Sequence, residues 1–219
     1  MKCSDKESLI NIIYLDNHIL VADKPANLLT QPDDTDKENL QDLLKAFLKK
    51  KFNKKGQVFL HCVHRLDKPV SGLVLFARTS KALSRLNKEV REKKLIRVYF
   101  AVVEGYFKQK KGVLEHFLVH GEYKAQVFDE KCKDAKIARL EFKVLKQKDD
   151  KSWIEVKLET GRYHQIRAQF AHVGHPIVGD SKYGSSFKSK IIKLHHGRVE
   201  FIHPVLKKKM IFKSSSNEN

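Results

Sequence analysis

Apolar residues recur along the chain in two rhythms, and the switches between them mark its elements. Ile10–Leu15 and His18–Asp23 are short apolar runs joined by Asp16-Asn17, the pattern of two strands and a turn, and Lys24-Pro25 ends the pairing. Residues 28–38 are polar and hold Asp33, Asp34, Asp36 and Glu38, which predicts a loop. Asn39 then stands where a helix cap belongs, before Leu40, Leu43, Leu44, Phe47 and Leu48 at helical spacing. That helix runs out into Lys49-Lys50-Lys51, cations that suit the negative end of a helix dipole. Val58–Val63 predicts a strand, Asp67-Lys68-Pro69 a turn, and Leu73–Ala77 a buried strand. Thr79 or Ser80 caps a second helix carrying Leu83, Leu86 and Val90. Ile96–Val103 reads as a strand, and the lysine-rich, weakly patterned residues 107–134 as an irregular hairpin. Strands at Ile137–Leu145 and Trp153–Glu159 flank a turn at residues 147–150. A helix over Tyr163–Val173 is stopped by Gly174 and Pro176, and Arg198–Ile202 is the last strand. Many strands, three helices and no βαβ rhythm predict an α+β fold with a mixed, mostly antiparallel sheet.

No repeat, low-complexity stretch or linker interrupts the pattern, so a single domain is expected over residues 1–219. Hydrophobic residues make up 41% of the chain and charged residues 32%, which excludes a disordered tail. Lys and Arg number 44 against 26 Asp and Glu, a net charge of +18. The two halves, divided at residue 110, carry 22 basic and 13 acidic residues each, so the excess belongs to the folded body. A polyanion is the partner this implies. No apolar run has the length of a spanning helix, and Met1–Glu7 leads into Ile10 with no signal-peptide pattern. Cys3, Cys62 and Cys132 are odd in number and far apart, which points to reduced thiols and a cytoplasmic protein.

Two segments concentrate chemistry. His61-Cys62-Val63-His64-Arg65-Leu66-Asp67 offers metal-ligand types, but its spacing fits no helical zinc motif and no second cysteine pair completes a set. Asp67 stands at the mouth of the apolar strand, where a carboxylate is costly unless paired. In Gly161-Arg162-Tyr163-His164-Gln165-Ile166-Arg167 the helical reading puts His164 and Arg167 on one face, with Ile166 and Phe170 on another. Two arginines and a histidine at a helix start suit phosphate. A surface basic patch and a buried pairing of Arg167 with a carboxylate both remain open. Trp153 reads as sheet or core, His175 and His203 as turn-fixing hydrogen bonders before proline, and Cys62 as a buried small hydrophobe.

The run His64-Arg65-Leu66-Asp67-Lys68-Pro69-Val70-Ser71-Gly72-Leu73 through Ala77 resembles the HRLD signature of RluA-type pseudouridine synthases. Thr160-Gly161-Arg162-Tyr163-His164-Gln165-Ile166-Arg167 is similar to that family's TGR-x-HQIR segment. Gly174-His175-Pro176-Ile177-Val178-Gly179-Asp180 with Lys182-Tyr183-Gly184 resembles its GHPI-x-GD and KYG blocks. Tyr99, Leu194-His195, Phe201–Pro204 and Asp16-Asn17 through Lys24-Pro25 fall in family order as well, over roughly residues 12–212. The family usually has Asp-Thr where this chain has Pro69-Val70, which removes a hydroxyl.

The resemblance implies the pseudouridine synthase fold, a mixed, mostly antiparallel sheet with flanking helices around a basic cleft. It implies a stand-alone catalytic domain without the S4-like domain many relatives carry. The activity implied is isomerisation of uridine to pseudouridine in a structured RNA, rRNA or tRNA, by a cytoplasmic monomer with no cofactor and no metal. Asp67 is then the essential carboxylate, Arg167 its counter-charge, and Tyr99 the ring that stacks on uracil. Leu194 becomes the apolar wall behind the base, and Arg65 fills the gap left by the flipped nucleotide. His64, Arg162, His164 and Gln165 complete the implied substrate-binding set. Lys49–Lys51, Lys54, Lys55 and the lysines of residues 108–111 and 207–209 are expected to meet phosphates.

Overall fold

The computed structural model describes residues 10–35 and 37–214. Cys3 lies outside them. The chain divides into two compact units, Met1–Leu95 with Gly197–Asn219, and Ile96–His196.

In the first unit β1 (Asn11–Leu15) and β2 (Ile19–Lys24) form an antiparallel pair. Their turn is built on Asp16, whose carboxylate accepts the N–H groups of His18 and Ile19 at 2.7 and 2.8 Å. β2 pairs antiparallel with β4 (Ser71–Ala77), from Ile19 opposite Ala77 to Lys24 opposite Gly72. Both strands are apolar throughout their middle and buried on both faces. α1 (Leu40–Lys51) begins at Asn39, which accepts from the Asp42 N–H while its own amide donates to the Asp42 carboxylate. α2 (Ser80–Arg91) begins at Thr79, whose hydroxyl accepts from the Ala82 N–H. The core joins Ile19, Val21, Leu73 and Leu75 to Ala82 and Leu86 of α2 and to Val199 and Phe201 near the chain's end. Those last two residues lie on β10 (Leu194–Ile202), which pairs antiparallel with β11 (Lys209–Lys213).

In the second unit the strands run in the order β5 (Ile96–Glu104), β9 (Lys151–Leu158), β8 (Lys136–Lys148), β6 (Lys111–Val119), β7 (Gln126–Phe128), antiparallel at every step. β8 and β9 meet in a two-residue hairpin in which Asp149 and Asp150 both have positive φ, 52° and 54°, the twist a tight hairpin requires. α3 (Gln165–His172) buries Ile166, Ala168 and Phe170, and Phe170 packs edge-on against Phe107 and Phe142. No helix among the described residues is long and apolar enough to cross a membrane.

The structure departs from the pattern reading in four places. The hairpin expected over residues 107–134 is there as β6 paired with β7, but β6 is a regular nine-residue strand that also pairs along eight positions with β8. Its inward positions include Gly112, opposite Phe142, and His116, which break the apolar alternation. The strand expected over 58–63 shrinks to β3 (His61–Cys62), paired with Ala77 and Phe76 of β4, while Leu60 is buried outside it. β11 follows a lysine run and was not expected. The last helix starts at Gln165 because His164 has a φ of 53°, the left-handed region, so His164 and Arg167 do not share a helical face.

Candidate active site

Asp67 sits half-buried on the loop between β3 and β4 in the first unit, preceded by exposed Arg65 and buried Leu66. The loop is clamped at several points. The Thr30 hydroxyl donates to the Leu66 carbonyl at 2.8 Å and accepts the Leu66 N–H at 3.1 Å. The Val70 N–H closes the turn on the Asp67 carbonyl at 3.0 Å. His64 is buried, and its Nε2 accepts the Leu75 N–H at 3.3 Å, which leaves the ring proton on Nδ1. Gly72, which opens the following strand, has a φ of 118° that other residues avoid.

Beneath this loop lies Lys24, only 1% exposed. Its ammonium donates to the carbonyls of Leu28 at 2.7 Å, Pro25 at 3.0 Å and Lys68 at 3.2 Å, so it holds the peptide that follows Asp67. Burial pushes its pKa down to about 7, and the Asp67 charge works in the opposite direction. The pattern reading ended a strand at Lys24-Pro25 and gave the lysine no role; a buried charge just inside a strand end was the available signal.

In the second unit Tyr99 is buried on β5 and its ring stacks on His196, centroids 4.5 Å apart. Leu194, also buried, lies two residues before His196 on β10 and therefore on the same strand face. Arg97 lies two residues before Tyr99 and is buried; a Cβ at Gly161 would come within 2.7 Å of its Nη1, so the glycine of the Thr160-Gly161-Arg162 motif admits the guanidinium. Neither Arg97 nor His196 was singled out in the sequence.

Arg167 on α3 is buried together with Asp180, their side chains 4% and 2% exposed. Its Nε and Nη2 donate to the two carboxylate oxygens at 2.6 and 2.9 Å, a bidentate pair, and the Tyr183 ring lies 5.1 Å from the guanidinium. The Tyr183 hydroxyl accepts the Ala125 N–H at 2.8 Å and lies 2.9 Å from His164 Nδ1. Gln165 is buried, with both ends of its amide bonded inside the unit. Oε1 accepts from the Thr160 hydroxyl and the Arg162 N–H, and Nε2 donates to the carbonyl of Arg139 and to Gln169. The Arg162 side chain is exposed and donates to the Ile137 carbonyl at 3.0 Å. His175 and His203 act as turn-fixing groups. His175 pairs with the Glu104 carbonyl at 2.7 Å, and His203 Nδ1 accepts the N–H groups of Val205 and Leu206.

Among the described residues one group has metal-ligand geometry, His116, Asp129 and His172, with donor atoms within 4.8 Å of one another. The hydrogen-bond chain around it works against a metal. The Arg162 N–H orients Gln165, Gln165 orients Gln169, and Gln169 Nε2 then faces the carbonyls of Leu114 and Ala138 and, at 3.0 Å, His116 Nδ1. His116 Nδ1 is thereby an acceptor, and the neutral ring keeps its proton on Nε2, the atom a metal would need. Burial first, and His172 second, push the His116 pKa down.

Residues 18–172 match the family described as RNA pseudouridylate synthase. The chain is 33% identical over 203 residues to an uncharacterised RNA pseudouridine synthase of Bacillus subtilis, covering 90% of this chain and 65% of that protein. It is 33% identical over 219 residues to the ribosomal large subunit pseudouridine synthase C of Buchnera aphidicola, covering 94% of this chain and 67% of that one. It is 28% identical over 232 residues to the tRNA pseudouridine synthase C of Vibrio parahaemolyticus, covering 95% and 91%. It thus spans about two thirds of the first and second of these relatives and nearly all of the third. The solved structure of human RNA pseudouridylate synthase domain containing 4 shares the fold, with a TM-score of 0.81 at 19% identity, over 97% of this chain and 91% of that one.

Proposed function

The chain belongs to the RNA pseudouridylate synthase family, and from that premise we propose that it isomerises uridine to pseudouridine in a structured rRNA or tRNA, with Asp67 as the essential carboxylate. The reaction breaks the bond from uracil N1 to ribose C1′, turns the base, rejoins it through C5 and releases the C5 proton. Nothing is oxidised or added, so we propose that side chains alone carry it. The observation that best supports the assignment is the clamped loop. A half-buried carboxylate on a loop whose backbone is fixed on one side by Thr30 at Leu66 and on the other by Lys24 at Lys68 starts from a rigid base, which attack or proton abstraction at the sugar–base junction favours.

The other roles follow from the chemistry. A stacked uridine is out of reach, so the base is flipped into the protein, and exposed Arg65 is placed by the resemblance to stack in the gap. Tyr99 offers a ring for the uracil, with Leu194 as an apolar wall. Arg167 supplies a positive charge whose orientation Asp180 and Tyr183 set within their own unit. Exposed Arg162 serves phosphate binding, while His64, His164 and Gln165 act as positioning residues inside their hydrogen-bond networks.

Tritium release from RNA labelled at uridine C5, with rRNA and tRNA supplied separately, tests the reading. Release from one pool by the wild type is expected, with none from Asp67→Asn, whose RNA affinity stays near normal. Substantial turnover by Asp67→Asn would remove Asp67 from the reaction, and no release from either pool would overturn the activity.

A further inference from the structure

Between Asp42 and Asp67 the chain contains six lysines and Arg65, and no carboxylate at all. The end of α1 accounts for part of this. Lys49, Lys50 and Lys51 occupy its last turn, where cations complement the helix dipole. Lys54 and Lys55 lie beyond the helix, and every residue from 49 to 57 is exposed. Two phenylalanines stand in the same stretch with much of their rings in water, Phe52 at 44% and Phe59 at 38% exposure. The Phe52 backbone ends the helix, but capping explains the exposure of neither ring.

The pieces form one surface. Phe52 caps α1, and the Arg78 guanidinium lies 5.0 Å from its ring. Arg78 follows Ala77, which pairs with His61, and the His61 ring lies 4.6 Å from that of Phe59. The segment leads along the chain into the Asp67 loop and is tied to α1 on the way. The Cys62 N–H donates to Gln41 of α1 at 3.3 Å, and five residues further on comes Asp67 itself. Dense lysine charge beside exposed rings is the combination that holds single-stranded nucleic acid, phosphates on the cations and bases on the rings.

We propose that residues 49–61 form an RNA-docking surface that holds an unpaired stretch of the substrate beside the target uridine, its phosphates on Lys50, Lys54 and Lys55 and a base on Phe59. The proposal rests on the pseudouridine synthase reading and adds to it a strand-holding site outside the catalytic loop. Charge complementarity selects RNA over an apolar or basic partner.

The test uses the full chain and two probes. Binding of a fluorescein-labelled 12-nucleotide oligouridine is followed by anisotropy across a salt series. Turnover is followed by tritium release from labelled tRNA and rRNA. The triple variant K50A/K54A/K55A is expected to lower the slope of log affinity against log salt by about 2, from roughly 0.7 per phosphate contact. Its KM should rise about tenfold or more while kcat stays within about twofold, and K50R/K54R/K55R should restore both slope and KM. Phe59→Ala should weaken oligouridine binding by roughly fivefold or more at an unchanged slope. A wild-type slope and KM in the triple variant would overturn the proposal and leave the surface to another partner. Absence of tritium release from the wild type would instead overturn the reading of activity, and the oligouridine series would still decide whether the surface binds RNA.

Discussion

Lys24 is a cation with almost no water, and its protonation is therefore coupled to folding. Its ordinary pKa of 10.5 falls to about 7 in the folded chain, chiefly because burial penalises the ammonium. Below about pH 7 both states are protonated and the folded state bears the whole penalty. Between about 7 and 10.5 only the unfolded chain keeps the proton, so this group makes stability rise with pH. Lys24→Met removes that rise. Its cost relative to the wild type should be about 2 kcal/mol larger at pH 9 than at pH 6.5, read from urea midpoints. Equal costs at both values would mean that the lysine titrates normally. Arg167 presents a different case, a buried cation held in a bidentate pair with a buried carboxylate. Arg167→Ala strands the Asp180 carboxylate and should cost about 3–5 kcal/mol, whereas the double change Arg167→Met with Asp180→Leu should recover much of it. If the single variant is as stable as the wild type, the pair contributes nothing. Asp67 and Arg167 stand out in the sequence as candidates because each lies inside a run of residues with family spacing. Lys24 and Asp180 were quoted in such runs, yet their partners lie 44 and 13 residues away, and no local rhythm reports that.

Elements announced by their ends were read well. Asn39 and Thr79 stand before their helices as caps, and the structure shows both side chains accepting the N–H that the first turn leaves open. Buried strands β2 and β4 were equally plain, since both faces are covered and the apolar run is continuous. β6 escaped because its inward face is not made of apolar residues alone. Gly112 is there to admit the Phe142 ring, which a Cβ would meet at 2.7 Å, and His116 is there to pair with Gln169. The strand is thus shaped by its neighbours more than by its own composition. Gly112→Ala should therefore destabilise the protein by about 1–3 kcal/mol by pushing Phe142 away from Phe107 and Phe170, measured by chemical denaturation. A neutral substitution would show that the ring has room to move. The last helix illustrates the same limit at its start. The apolar period continues through Tyr163, but the left-handed His164, paired with Tyr183, delays the helix to Gln165.

Across the whole molecule, the chain leaves its first unit at Leu95 and returns at Gly197, so that unit is completed by residues distant in sequence. The returning segment supplies Val199 and Phe201 to the core beside Leu73 and Leu75. It also supplies His203, buried with Nε2 2.8 Å from the Asp16 carboxylate, and Ser214, whose hydroxyl donates to buried Asp23. The turn that opens the unit and the strand that leads to Lys24 are therefore both secured by the returning segment, through His203 and Ser214. Asp23 lies next to Lys24, and Lys24 holds the peptide after Asp67, so closure of the unit and the posture of the candidate catalytic loop are linked through adjacent positions of β2. Two consequences are expected. Phe201→Ala should cost about 3–5 kcal/mol, as for other large buried rings. A chain ending at His196 should lack a cooperative unfolding transition for the first unit and lose tritium release. A truncated chain that still unfolds cooperatively and still turns over would show that the first unit is complete without its closing strands.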